Sequence, residues 1–266
     1  RIENGNTVID TTIYDYDSLL IQLTETAEQG LELPEEPREK IFETVLRGKV
    51  PYTRAEPNAL LMDTAMYSLD GEPFRDEEEI LRLDNVCREK LGWPSRASSV
   101  AQPWVIEQEA VTHALTLRFR INSQMPVSGA QLAIEDAADL EIVLNGQSVP
   151  AVVCGYYVDE SIQTVALPEL RAGENLLEVT MPFGKRTNTE WCYLLGEFNV
   201  LVEGTERTLV PASGEIGFSD ISRQGLAFYG GNVIYDAEVE VPAGDMQIHV
   251  SHYRGALIRV AVDGED

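Results

Sequence analysis

Carboxylates and aromatic rings are the side chains of this chain most able to do chemistry. Acidic residues number 45 among 266. Two suitably placed carboxylates suffice for glycosidic bond hydrolysis, one as acid and one as base or nucleophile. Glu135-Asp136, Asp159-Glu160 and Glu190 are the carboxylates to weigh. Asp159 and Glu190 lie near aromatic residues, which suits them to accept hydrogen bonds from sugar hydroxyls. With acids so abundant, no pair stands out as catalytic. For Glu190 the competing reading is an ion pair with Arg186 or a loop cap, and it is the preferred one.

A ring face offers apolar area to the C–H side of a pyranose while flanking polar groups take its hydroxyls. Trp104, Tyr156, Tyr157, Trp191, Tyr193, Tyr229 and Tyr253 fall near predicted strand ends or loops. In the Tyr156–Tyr157 pair one ring must face inward and one outward, because side chains alternate along a strand. The alternative for each ring is core or edge packing. Arg254 precedes Gly255 in a predicted turn and reaches either ligand or solvent. The candidates for carbohydrate contact are therefore Trp104, Tyr156, Tyr157, Asp159, Glu190, Trp191, Tyr229, Tyr253 and Arg254.

Other chemistries find no foothold. The sequence has no nucleophile elbow, no zinc-protease helix motif and no glycine-rich phosphate loop. His113 is isolated, and His249 and His252 are three apart on a predicted strand, so they point to opposite faces. Cys87, Cys154 and Cys192 are far apart and lack metal or redox spacing. No catalytic residue and no cofactor is assigned. Acidic loops permit a structural Ca²⁺, but no ligand set can be named. The 45 acidic residues face 20 basic ones, a net charge of −25. Such a surface repels nucleic acid and anionic membranes and tolerates neutral sugars. No apolar run approaches the roughly 20 residues of a membrane span.

The elements that must position these residues are mostly strands. Leu115, Leu117, Phe119 and Ile121 alternate with polar residues, as do Leu140, Ile142 and Leu144 before Asn145-Gly146, a type I′ turn signal. Further strands are expected at 58–69, closed by Asp70-Gly71, at 165–167, 177–181, around Tyr193 and Leu195, and at 200–202. Short strands separated by turns indicate an antiparallel sandwich. A helix is expected near 76–91, with Asp76 as N-cap, Ile80, Leu83, Cys87 and Leu91 on one face, and Gly92 and Pro94 as its stop. A second short helix is expected at 37–47, after a linker at 32–38. Strands are expected at 7–12 and 18–23, and again at 229–241, 246–252 and 256–262. The organisation expected is the end of one β domain at 1–30, a full sandwich with a helical insertion at 31–205, and the first half of a second sandwich at 206–266.

Several phrases resemble known carbohydrate-active proteins. Tyr229-Gly-Gly-Asn-Val-Ile-Tyr235, the strand to Val241-Pro242, His252-Tyr-Arg-Gly255 and Val260-Ala-Val-Asp-Gly264 resemble the sugar-binding jelly-roll of family 2-type glycoside hydrolases. Asp263 stands where those domains carry Asn, and the resemblance covers the first half of the domain. Pro57-Asn-Ala-Leu-Leu-Met-Asp63, Tyr67-Ser-Leu-Asp-Gly71, Ile80-Leu-Arg-Leu-Asp84, the stretch 140–146 and Gly173-Glu-Asn-Leu-Leu177 resemble the β-sandwich region that follows the barrel in large bacterial glycosidases. The rhamnosidases of family 106 are the nearest comparison. The resemblance implies a mainly β fold: an antiparallel jelly-roll sandwich of galactose-binding-like type with partial flanking β domains. It implies a non-catalytic accessory or scaffold region of a multidomain glycoside hydrolase, with carbohydrate and the other domains of the parent chain as partners. It leaves both a bacterial cytoplasmic and a secreted location open. The alternatives are a surface adhesin of the same fold and a self-contained polysaccharide lyase, whose Tyr/His or Arg constellation cannot be assembled from this sequence.

Overall fold

The computed structural model describes residues 2–3, 5–13, 19–21, 42–96, 109–244, 247–250 and 253–264. The chain divides into two units, Leu46–Glu238 and a smaller one of Arg1–Val45 with Val239–Asp266. In the smaller unit β1 (Ile2–Glu3) and β2 (Asn6–Thr7) form a short antiparallel hairpin. The strand expected at 7–12 ends at Thr7, and Leu19–Ile21 have no regular structure. Residues 42–47, expected to finish a helix, are irregular, and the linker and the start of that helix lie outside the described residues.

The larger unit begins with β3 (Lys49–Arg54), β4 (Asn58–Met62), β5 (Thr64–Leu69) and β6 (Arg75–Glu79), followed by α1 (Ile80–Lys90). Then come β7 (His113–Ser123), β8 (Gln131–Glu135), β9 (Glu141–Leu144), β10 (Gln147–Val149), β11 (Val153–Tyr157), β12 (Asp159–Ala166) and β13 (Gly173–Phe183). The last are β14 (Cys192–Gly196), β15 (Asn199–Glu203), β16 (Glu206–Val210), β17 (Glu215–Gly217) and β18 (Val233–Tyr235). One sheet has eight strands in the order β10-β9-β13-β7-β16-β15, with β5 also on β7 and β6 on β5. The second has five, β11-β12-β8-β14-β4. A three-stranded ribbon, β17-β3-β18, completes the unit.

The two larger sheets share one core. Leu115, Leu117, Phe119 and Ile121 of β7 and Leu177, Val179, Met181 and Phe183 of β13 come from the first. Leu60, Met62, Leu132, Ile134, Val165 and Leu194 come from the second. This is a β-sandwich whose alternation of buried and half-exposed residues along β7 and β13 follows the strand period of two. Each fully buried leucine removes enough apolar area from water to contribute about 1.5–3 kcal/mol. Turn chemistry fixes the register. Asn145 and Gly146 (φ 52° and 79°) turn β9 into β10 with Leu144 opposite Gln147, the two left-handed residues of a type I′ hairpin. Asp70 and Gly71 (φ 54° and 74°) reverse the chain at the end of β5, and three residues separate Gly71 from the start of β6 at Arg75.

Several expectations need correction. The strand expected at 58–69 is two strands in two sheets: β4 lies in the five-stranded sheet and β5 in the eight-stranded one. Asp63 breaks them, held by Arg207 Nη1 at 2.7 Å, which also donates to the Leu61 carbonyl at 2.7 Å. Asp76 is in β6, paired with β5, so α1 starts later. Its N-cap is Glu79, which accepts from the amides of Leu81 (3.1 Å) and Arg82 (3.0 Å). The predicted apolar face holds, with Ile80, Leu83 and Cys87 buried. The stop is a Schellman motif: Trp93 N donates to Arg88 O (2.8 Å) and Gly92 N, at φ 69°, to Glu89 O (3.0 Å). On β14 it is Cys192 and Leu194 that face the shared core, while Tyr193 and Leu195 sit on the outer face of the five-stranded sheet.

Residues 206–238, expected to open a second sandwich, add β16 to the eight-stranded sheet and β18 to the ribbon. Of the expected strand 229–241 only Val233–Tyr235 forms, paired with β3. Of the strands expected at 246–252 and 256–262, the described residues form none beyond a single bridge residue, Val262. Their alternating residues Ile248, Val250, Leu257 and Val260 are exposed, so the pattern exists without a covering layer among the described residues.

Candidate functional site

A cleft of about 570 Å³ opens where the start of β7, the end of β8 and the end of β13 meet. The 184–190 connection to β14 forms one wall and the 136–140 connection to β9 another. Ile134, Leu140, Met181 and Phe183 give an apolar lining, with Trp93 from the end of α1 beside it. Trp93 stacks on Phe183 (5.6 Å between centroids) and meets the His113 ring edge-on (5.5 Å). His113 Nδ1 lies 2.7 Å from Asp70 Oδ2. The Asp70 carboxylate is held below the usual aspartate range, first by the Ala114 amide and then by His113.

The polar walls carry acids from both connections: Glu135, Asp136, Asp139 and Glu190, with Glu109 paired to Lys185 at 2.9 Å. Asp136 is a non-glycine residue at φ 51° in the turn after β8, a conformation that costs free energy and clusters at functional loops. Glu135 and Glu190 are linked through two donors. Asn188 Nδ2 donates to Glu135 Oε2 (2.7 Å), Arg96 donates to Asn188 Oδ1, and the same Arg96 nitrogen donates to Glu190 Oε1 (2.8 Å). Each carboxylate thus commits one oxygen to a fixed donor. Glu135 Oε1 and Glu190 Oε2 have no hydrogen-bond partner among the described residues. Such oxygens accept hydrogen bonds from hydroxyl groups of a ligand. Among the described residues no cluster of three His, Cys, Asp or Glu side chains is placed to hold a metal ion. No described helix is long and apolar enough to cross a membrane.

The sequence candidates scatter. Glu190 is in the cleft, and its ion-pair partner is Arg96 at 2.8 Å, not the expected Arg186. Trp191, next along the chain, is 41% exposed and donates Nε1–H to Glu79 Oε1 (2.7 Å), tying β14 to the N-cap of α1. Tyr156 is 61% exposed and Tyr157 is half-buried. Tyr157 is not in the shared core, against the expectation that one ring of the pair faces inward. It packs on the outer face of the five-stranded sheet, 5.2 Å from the Tyr193 ring. Asp159 is exposed and accepts from the Ser161 hydroxyl (2.6 Å) and amide (2.8 Å), a local turn that lowers its pKa. Tyr253 is half-buried and Arg254 exposed, both in the smaller unit. Trp104 lies outside the described residues.

Tyr229 has a structural task. It donates its hydroxyl hydrogen to Glu56 Oε2 (2.7 Å), and the Asn232 amide and side chain donate to the same carboxylate (2.7 and 2.8 Å). Glu56 thereby clamps the 229–232 loop. A Cβ at Gly231 would lie 2.2 Å from Glu56 Oε2, so glycine is needed for the approach. The Tyr229 hydroxyl and then the Asn232 amide hold the Glu56 carboxyl below its ordinary value. Burial, then the bond to Glu56, pushes the Tyr229 phenol up to about 12.

In the sequence Glu135 and Asp136 stand out only as a candidate catalytic pair, and Trp93, Arg96 and Asn188 do not stand out at all. The usable signal for Trp93 was the helix stop: an aromatic residue just past a C-terminal glycine folds back on the last turn.

No protein family and no curated protein matches this chain. Among solved structures, the GH31 alpha-xylosidase from Xanthomonas citri is similar over 55% of this chain and 16% of that chain, at 11% identity and a TM-score of 0.26. A likeness of that size assigns neither fold nor activity.

Proposed function

We propose that this chain is a non-catalytic accessory module of a carbohydrate-active protein, a jelly-roll sandwich of galactose-binding-like type whose end cleft takes a neutral glycan. The observation that carries this reading is the chain of bonds from Glu135 through Asn188 and Arg96 to Glu190. It fixes one oxygen of each carboxylate and leaves the other without a partner among the described residues, in a cleft that Ile134, Leu140 and Trp93 also line. Fixed acceptors next to apolar area are what a sugar, with its hydroxyl rim and C–H face, requires. The net charge of −25 disfavours anionic polysaccharides. Support for neighbouring domains of a glycoside hydrolase is the second part of the role, favoured by the exposed Val239, Val241, Ile248, Val250, Val260 and Val262 of the smaller unit.

A glycan array probed with the folded chain tests the reading. At least one class of neutral oligosaccharide binds, and acidic ones such as oligogalacturonates do not. Failure of every glycan to bind contradicts the carbohydrate part and leaves a scaffold or an adhesin acting through protein contacts.

A further inference from the structure

The wall of the cleft is held from α1. Arg88 is on the helix and 4% exposed, and Arg96 follows six residues after the helix ends at Lys90. Arg88 Nη1 donates to the Lys185 carbonyl (3.0 Å) and Nη2 to the Thr187 carbonyl (2.9 Å). Its Nε is taken by Asp84 at 2.7 Å, which locks the guanidinium plane. Arg96 donates to the Thr189 carbonyl (2.6 Å), to the Asn188 side chain and to Glu190. Two arginines thus hydrogen-bond to five residues of the 184–190 connection, Lys185 and Thr187 through Glu190. A connection between strands ordinarily opens with little free energy. This one cannot open without breaking charge-assisted bonds, which are about twice as strong as neutral ones.

We infer that Arg88 and Arg96 are positioning residues: they make 184–190 a rigid wall, so that Asn188 keeps Glu135 and Glu190 aimed into the cleft. The inference rests on reading the cleft as a glycan site, and it gives α1 a task. The helix is then the brace that forms the site, not a passive insertion in the sandwich. Lysine cannot replace either residue, since the bonds use a planar fork that reaches two acceptors at once.

Hydrogen exchange read by mass spectrometry on the whole folded chain tests this without ligand. In R96Q and in R88K, amides of 184–190 exchange about tenfold faster or more, while those of β7 and β13 keep the wild-type rate. R96Q is the safer variant, because Arg96 is partly exposed. The inference is overturned if 184–190 keeps its protection, or if β7 and β13 loosen together with it, which marks a general loss of stability. Affinity for the best-binding neutral oligosaccharide of the array falls at least tenfold in both variants. A loosened wall with unchanged affinity also overturns it. If the wild-type chain binds no glycan, the cleft reading fails, and the exchange result still decides whether the arginines fix the wall.

Discussion

Asp84 and Arg88 sit one turn apart on α1 and meet through Oδ2 and Nε at 2.7 Å, both side chains sealed from solvent. The arginine completes its bonding on two carbonyls of the 184–190 connection, while Asp84 Oδ1 has no partner among the described residues. Removing one member leaves a buried charge without compensation, which costs about 3–5 kcal/mol. D84A and R88M each lower stability by that amount in urea unfolding. The double variant loses less than the sum of the two, because the pair is lost once.

Gly225 is the second stress point. Its φ is 93°, and a Cβ there would lie 2.5 Å from the Asn199 side chain. Its carbonyl accepts from Asn58 Nδ2 at 2.9 Å, and Asn58 also reaches the Phe198 carbonyl at 2.8 Å. G146A meets open space at φ 79°, so it costs only the left-handed backbone penalty of about 1–2 kcal/mol. G225A adds a clash with Asn199 and lowers the denaturation midpoint further than G146A does.

Glu56 and Tyr229 set the pH limits of the 229–232 clamp. The folded-state pKa of Glu56 is lowered, so its contribution is present above the ordinary glutamate value and is lost as pH falls through the folded value. That of Tyr229 is raised from 10 to about 12, so its contribution is full below 10 and is lost as pH rises from 10 toward 12. Stability measured against pH therefore declines at both ends. E56Q flattens the acid limb and Y229F the alkaline one.

The thiols divide by burial. Burial pushes the Cys87 thiol up to about 11 and also raises that of Cys192, while Cys154 is exposed on β11. Because the thiolate is the reactive form, a disulfide reagent at pH 8 labels Cys154 alone in the folded protein. All three react in urea.

What could be read in advance follows from how local each signal is. The alternation of Leu115 through Ile121 and the Asn145-Gly146 turn are properties of neighbouring residues, and the structure has both. The helix was legible from Ile80, Leu83 and Cys87, but its start was not, because pairing with β5 pulled Asp76 into a strand. The Asn58–Leu69 stretch looked continuous since both sheets bury its apolar residues. The cleft depends on partners far apart in the chain: Arg96 and Glu190 are 94 residues apart, Glu135 and Asn188 53. Sequence reading therefore offered Glu190 its near neighbour Arg186, and the fold supplies Arg96.

The most direct test of the central claim is isothermal titration of the folded chain with the best-binding neutral oligosaccharide of the array, comparing wild type with E135Q/E190Q. The amide variants keep side-chain volume but lose charged acceptors, so the account predicts a drop in affinity of about tenfold or more with an unchanged melting curve. Equal binding by the two proteins would contradict it.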